Sequence, residues 1–181
     1  MSTEITDPDK LNRLVSDHKT VINRTGACIL IICFLISIGC GLKTVDTGET
    51  GDRTTAKSKV LIATQKSEFK EEVVSEVKRV LGDKVKYIKV VDVKWLPNES
   101  VDNYRAIVLL NACMAGRPDP RVESFIDNIQ NKNKLVVLTT GRLDAWRPAS
   151  PEVDAITSAS NMSESVTVAR LIAEKVLTII E

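Results

Sequence analysis

Histidine is almost missing from this chain: in 181 residues there is one, His18, and it precedes a hydrophobic segment. The region beyond that segment therefore cannot build a Ser/His/Asp triad, a Cys/His pair or a histidine-based zinc site, and no metal is expected. Cysteine is nearly as scarce there. Of four cysteines, Cys28, Cys33 and Cys40 fall in the apolar segment and only Cys113 lies beyond it. One thiol forms no internal disulfide, so cysteine usage does not point to a stapled secreted domain. Without a histidine to activate it, Cys113 is a poor nucleophile. Charge of one sign is lacking too. Lys and Arg total 25 against 24 Asp and Glu, a net charge of +1, with no basic run interleaved with aromatics. Nucleic acid is not an expected partner.

What is present begins with that apolar segment. Residues 25–42 carry no charge and include Ile29-Leu30-Ile31-Ile32-Cys33-Phe34-Leu35-Ile36. Their 18 positions reach the lower limit for a membrane span, and a helix that long covers about 27 Å. Two readings stay open. One is a single uncleaved N-terminal hydrophobic helix that anchors the chain. The other is a lipoprotein signal ending at Ser37-Ile38-Gly39-Cys40, with lipid carried on Cys40. Gly39 suits the second reading and Ser37 does not. Both make the membrane a partner. Lys10, Arg13, Lys19 and Arg24 precede the segment while Lys43, Arg53 and Lys57 follow it. That asymmetry is too small to settle orientation. Residues 1–24 form a polar tail, and residues 43–58, rich in Thr and Gly, read as a flexible linker.

From residue 59 to 181, apolar runs alternate with amphipathic patterns. Val60-Leu61-Ile62-Ala63, residues 85–93, Ala106-Ile107-Val108-Leu109-Leu110, Leu135-Val136-Val137-Leu138 and a weaker run over 153–157 read as strands. Phe69, Val73, Val74, Val77, Val80 and Leu81 recur at helical spacing, with Gly82 to end the helix. Asp119-Pro120 opens a second helix as cap and first-turn proline, and Asn161-Met162-Ser163-Glu164 opens a third as a capping box. Continuous apolar strands separated by helices predict a five-stranded parallel sheet, doubly wound, with both faces covered. Ligands of such sheets bind beyond the carboxyl ends of the strands, where strand order reverses.

Three loops lie at that end. Thr64-Gln65-Lys66-Ser67-Glu68-Phe69 runs from a strand into a helix N-terminus, which suits phosphate, although Ser67 serves equally as an ordinary cap. Asn111-Ala112-Cys113-Met114-Ala115-Gly116-Arg117-Pro118 permits close backbone approach to a flat ligand. Thr139-Thr140-Gly141-Arg142 follows, with Trp146 as its nearest aromatic.

The chain from residue 59 to 181 resembles the flavodoxin family. The resemblance rests on Val60-Leu61-Ile62-Ala63-Thr64 entering a loop and helix, and on Tyr104-Arg105 leading into the third strand and Asn111. It continues through Met114-Ala115-Gly116-Arg117-Pro118-Asp119-Pro120-Arg121-Val122 and ends at Leu135-Val136-Val137-Leu138-Thr139-Thr140-Gly141. It implies a cofactor, FMN. Its phosphate would lie on Thr64, Lys66, Ser67 and Phe69, and its ring between Asn111, Ala112, Cys113, Met114 and Gly116 on one side and Thr140, Gly141 and Arg142 on the other.

The chain also departs from the family pattern. The family's phosphate loop reads Thr/Ser-x-Thr-Gly-x-Thr, and here Lys66, Ser67 and Phe69 replace its second Thr, its Gly and its last Thr. The loop after the third strand has no aromatic to stack on a flavin. Pro148 and Pro151 leave little room for the family's fourth helix. Two functions follow as expectations: a membrane-tethered, FMN-binding electron-transfer domain with an unknown redox partner, or a degenerate fold without cofactor that acts as a binding or scaffold module.

Overall fold

The computed structural model describes residues 48–51, 58–141 and 146–181. The apolar segment and Arg142 lie outside these residues. Among the described residues, no helix is long and apolar enough to cross a membrane.

Six strands form one mixed sheet: β1 (Gly48–Gly51), β2 (Lys59–Thr64), β3 (Tyr87–Asp92), β4 (Ala106–Ala112), β5 (Leu135–Thr140) and β6 (Asp154–Ser158), in the order β1-β3-β2-β4-β5-β6. The five expected strands are all present and parallel. The strand count needs correcting from five to six. β1, within the stretch read as linker, pairs antiparallel with β3, Gly48 opposite Val90 and Gly51 opposite Tyr87. Its GETG sequence has no strand pattern to read. Tertiary pairing with the edge of β3 supplies what local propensity does not. Gly51 is needed there: at φ +100° an added Cβ would overlap the carbonyl oxygen of Lys86.

Without β1, the parallel strands run 2-1-3-4-5 in their own numbering, the flavodoxin-like order. Apolar residues stand at consecutive positions in β2, β4 and β5 because helices or turns cover both faces. On the first face, α1 (Glu68–Leu81) and α3 (Ser165–Ile180) pack over Val60, Ile62, Val108, Val136 and Ile156. On the second, α2 (Pro120–Asn128) and a 3-10 turn over Val93–Asn98 cover Leu61, Ile107, Leu109 and Val137.

The helix ends follow the sequence signals. The Ser67 hydroxyl accepts from the Lys70 N–H, and Gly82 at φ +39° closes α1. Asp119 caps α2 with Pro120 in its first turn. At the third helix the expected box is displaced by a turn. Asn161 caps a 3-10 turn over Met162–Glu164, and α3 starts at Ser165. Among the described residues between β5 and β6 there is no helix, as Pro148 and Pro151 suggest.

Candidate functional site

The chain leaves β2 toward β3 on one side and later returns to β4 on the other, so strand order reverses between β2 and β4. The loops that leave these two strands are stitched together by a side chain that no local pattern marks. Gln65 Oε1 accepts from the Ala112 N–H at 2.8 Å and from Lys70 Nζ at 3.1 Å. Its Nε2 donates to Asp119 Oδ2 at 2.9 Å. One amide thus ties the first loop, the first turn of α1, the end of β4 and the cap of α2.

Lys70 is the unusual member. It stands at helical spacing with Val73 and Val77, on the face α1 buries, and is 3% exposed. Burial pushes its ammonium down to about 8, against the upward pull of the Asp119 carboxylate. Asp119 is held below the usual carboxylate range, first by the Arg121 guanidinium, which bonds it at 2.9 and 2.6 Å, with burial opposing.

The other predicted residues fall into place around this network. The Thr64 hydroxyl donates to the Gln65 carbonyl. Ser67 is engaged as the cap, and Lys66 pairs with Glu71 at 3.8 Å. Phe69 sits apart from the loop surface, buried in the first-face core beneath α1. Asn111 is fully buried. Its Oδ1 accepts from the Asp119 N–H at 3.0 Å, while its Nδ2 has no hydrogen-bond partner among the described residues. The Thr140 hydroxyl donates to the Asn111 carbonyl, and the Cys113 N–H donates to the Thr140 carbonyl at 2.8 Å.

Met114 and Arg117 exchange two backbone hydrogen bonds across a tight turn whose central residues, Ala115 and Gly116, have φ of 51° and 78°. The Gly141 N–H donates to the Ser158 carbonyl. The structure thus brings together Thr64, Ser67, Asn111, Ala112, Cys113 and Thr140, and leaves Phe69 apart. Cys113 is a half-buried free thiol.

Sequence reasoning passed over Gln65 and Lys70 as site residues. A lysine at i−3 from Val73 on an apolar face was a usable signal for Lys70. For Gln65 there was none, because its partners lie 47 and 54 positions away. The two tryptophans also separate. Trp146 packs partly buried against the second-face core, whereas Trp95 is half exposed with Lys94 over its ring at 5.6 Å.

No family model matches this chain, and no curated protein matches it. Solved structures do. A flavodoxin from the domain Archaea is 10% identical, with a TM-score of 0.45 over 68% of this chain and 99% of that one. Oxidised flavodoxin 2 from Bacillus cereus is 18% identical, with a TM-score of 0.43 over 65% of this chain and 99% of that one. A flavo di-iron protein variant from Thermotoga maritima is 14% identical, with a TM-score of 0.48 over 73% of this chain and 37% of that one. At TM-scores below 0.5 these similarities add no weight to the strand order, on which the flavodoxin-like fold stands.

Proposed function

We propose that this chain is a membrane-tethered flavodoxin-like domain that has exchanged its cofactor cradle for an internal polar network and works as a binding or scaffold module. The observation that carries this reading is the Gln65–Lys70–Asp119 network at the strand-order reversal. In a flavodoxin-like site a phosphate rests on the loop after the first parallel strand, here residues 65–67. In this chain Lys70, in the first turn of α1, is turned inward to Gln65. Lys66 is paired with Glu71 at 3.8 Å, and the Ser67 hydroxyl serves the helix. The carboxylates of Glu68 and Glu71 stand in the first turn of α1, and Glu68 opposes an incoming dianion.

The ring position is no better supplied. Loop residues 111–118 contain no aromatic, and Asn111 Nδ2, a donor without a partner among the described residues, is buried at 0% exposure. These residues do not fit FMN, so no electron-transfer step is derived through it. Tethering rests on the uncharged run of residues 25–42.

The test is the visible spectrum of the detergent-purified full chain, followed by titration with FMN. The expected outcome is a colourless protein with no saturable flavin binding. Stoichiometric flavin absorbance would defeat the reading and restore electron transfer. For the tether, the chain is expected to stay with membranes through an alkaline wash, and its release would remove that half of the proposal.

A further inference from the structure

Most of the large apolar side chains left exposed on this domain lie toward one end of the sheet. Among the described residues there are five: Trp95 is 51% exposed, Met114 78%, Met162 43%, Leu171 41% and Val166 38%. Trp95 follows the carboxyl end of β3, Met114 that of β4 and Met162 that of β6, while Val166 lies in the first turn of α3 beyond β6. These four follow the carboxyl ends of the parallel strands, and Leu171 alone lies further along α3. The opposite end presents Asp83, Lys84, Asp102, Asn103, Arg105 and Glu152, and its groove of about 710 Å³ is lined mostly by polar and charged side chains.

A second, independent observation concerns where the chain enters. β1 runs antiparallel to β3, with Gly48 opposite Val90 and Gly51 opposite Tyr87. The N-terminal end of β1 therefore lies toward the carboxyl end of the parallel strands. Gly48 and Trp95 line one groove of about 410 Å³. Only residues 43–47 separate Gly48 from the apolar run, a reach of roughly 20 Å at full extension. Counted from Cys40, as a lipid anchor requires, the reach is roughly 28 Å. Either tether leaves the sheet in the direction of its carboxyl end.

We propose that the carboxyl end of the sheet docks on the bilayer interface, with Trp95 and Met114 entering the headgroup region and Met162 completing the surface. The proposal rests on the tethering reading above. Trp95 carries the chemistry of an interfacial anchor: an apolar ring with a polar N–H, and Lys94 beside it to meet phosphate. Met114 opens the tight turn, paired with exposed Arg117 across it. Trp95 and Met162 follow strands four spacings apart in the sheet, about 19 Å. The contact is therefore broad rather than a single point.

Lys66, Lys94 and Arg117 are offset by Glu68, Glu71 and Asp92, so apolar insertion rather than attraction to anionic lipid drives the contact. The tether makes docking intramolecular, and a surface too weak to hold a soluble domain is sufficient at millimolar effective concentration.

The experiment uses the full chain in phosphatidylcholine vesicles whose acyl chains are brominated at mid-chain or left plain. Trp146→Phe leaves Trp95 as the sole emitter, and Trp95→Phe leaves Trp146. Should Trp146→Phe misfold, subtracting the Trp95→Phe signal from that of the native chain isolates Trp95. Trp95 is expected to be shielded from aqueous iodide and quenched by bromolipid at least about twofold more than Trp146. Trp95 open to iodide and untouched by bromolipid would overturn the docking. Trp95 shielded from iodide yet untouched by bromolipid would also overturn it, assigning the surface to a protein contact. Vesicle flotation separates the two readings. A chain that floats with Trp95 unquenched refutes docking alone, and a chain that fails to float refutes the tether and docking together.

Discussion

The two faces of the sheet are covered in different ways. On the first, α1 and α3 span Glu68–Leu81 and Ser165–Ile180, pack on each other and bury a mostly aliphatic core. On the second, α2 covers only Pro120–Asn128, and 3-10 turns over Val93–Asn98 and Val101–Asn103 stand between β3 and β4. Aromatic residues divide accordingly. Tyr87, Tyr104, Phe125 and Trp146 all pack on the second face, against Phe69 on the first. A ring buries about 150–250 Å² from a single backbone position, so large side chains do there what helices do on the other side. A face covered by rings and turns has less repeating structure to preserve, and its connections are freer to change.

The largest expected effect tests that substitution of rings for helices. Tyr87 is 1% exposed, and Tyr87→Ala should cost about 3–5 kcal/mol because no long helix can settle into the space. Ile172→Ala on the first face should cost about 2–5 kcal/mol. Urea unfolding of both variants decides it. If the aromatic variant is the milder, the rings are not what holds the second face.

Next comes the buried charge that joins α1 to the carboxyl-end loops. The Lys70 pKa falls from 10.5 to about 8 on folding, so between those values the unfolded chain binds more protons and stability rises with pH. Below pH 8 the native state carries the whole desolvation cost, about 3 kcal/mol. Relative to Lys70→Met, the native chain should gain most of that amount between pH 7 and 10.5. A constant difference between the two would mean that Lys70 keeps its hydration.

A smaller effect belongs to Asp119, which caps the short helix and accepts from Gln65. Asp119→Ala should cost about 1–2 kcal/mol and should release Gln65. The smallest change requires no substitution: amides of α2 should exchange with deuterium faster than those of α1. A helix of nine residues has little intrinsic stability and depends on its packing. Equal protection of the two helices would erase the distinction between the faces.

Much of the architecture was legible because it depends on short periods. β2, β4 and β5 announce themselves as apolar runs, and α1 through its spacing from Phe69 to Leu81. The caps at Ser67 and Asp119 are where the residue types place them. The site was legible only in position. Asn111, Ala112, Cys113 and Thr140 do meet at the carboxyl end, yet Phe69 belongs to the core although its place in the resemblance suggested phosphate. The reason is helical spacing. Phe69 is one turn before Val73 on the face that α1 must bury, and burial outweighs the role implied by its place in the loop.

The sequence by itself determined the class of fold, the exclusion of histidine chemistry from the domain, and the uncharged run that reads as a tether. Each follows from composition or from patterns spanning a few residues. The tertiary structure decided the rest. It made a strand of Gly48–Gly51, turned Lys70 inward to Gln65, and gathered Trp95, Met114 and Met162 at the end where the chain enters. These outcomes depend on which strands lie side by side. Hydrogen bonds spanning 47 and 54 positions leave no trace in the local pattern of either partner.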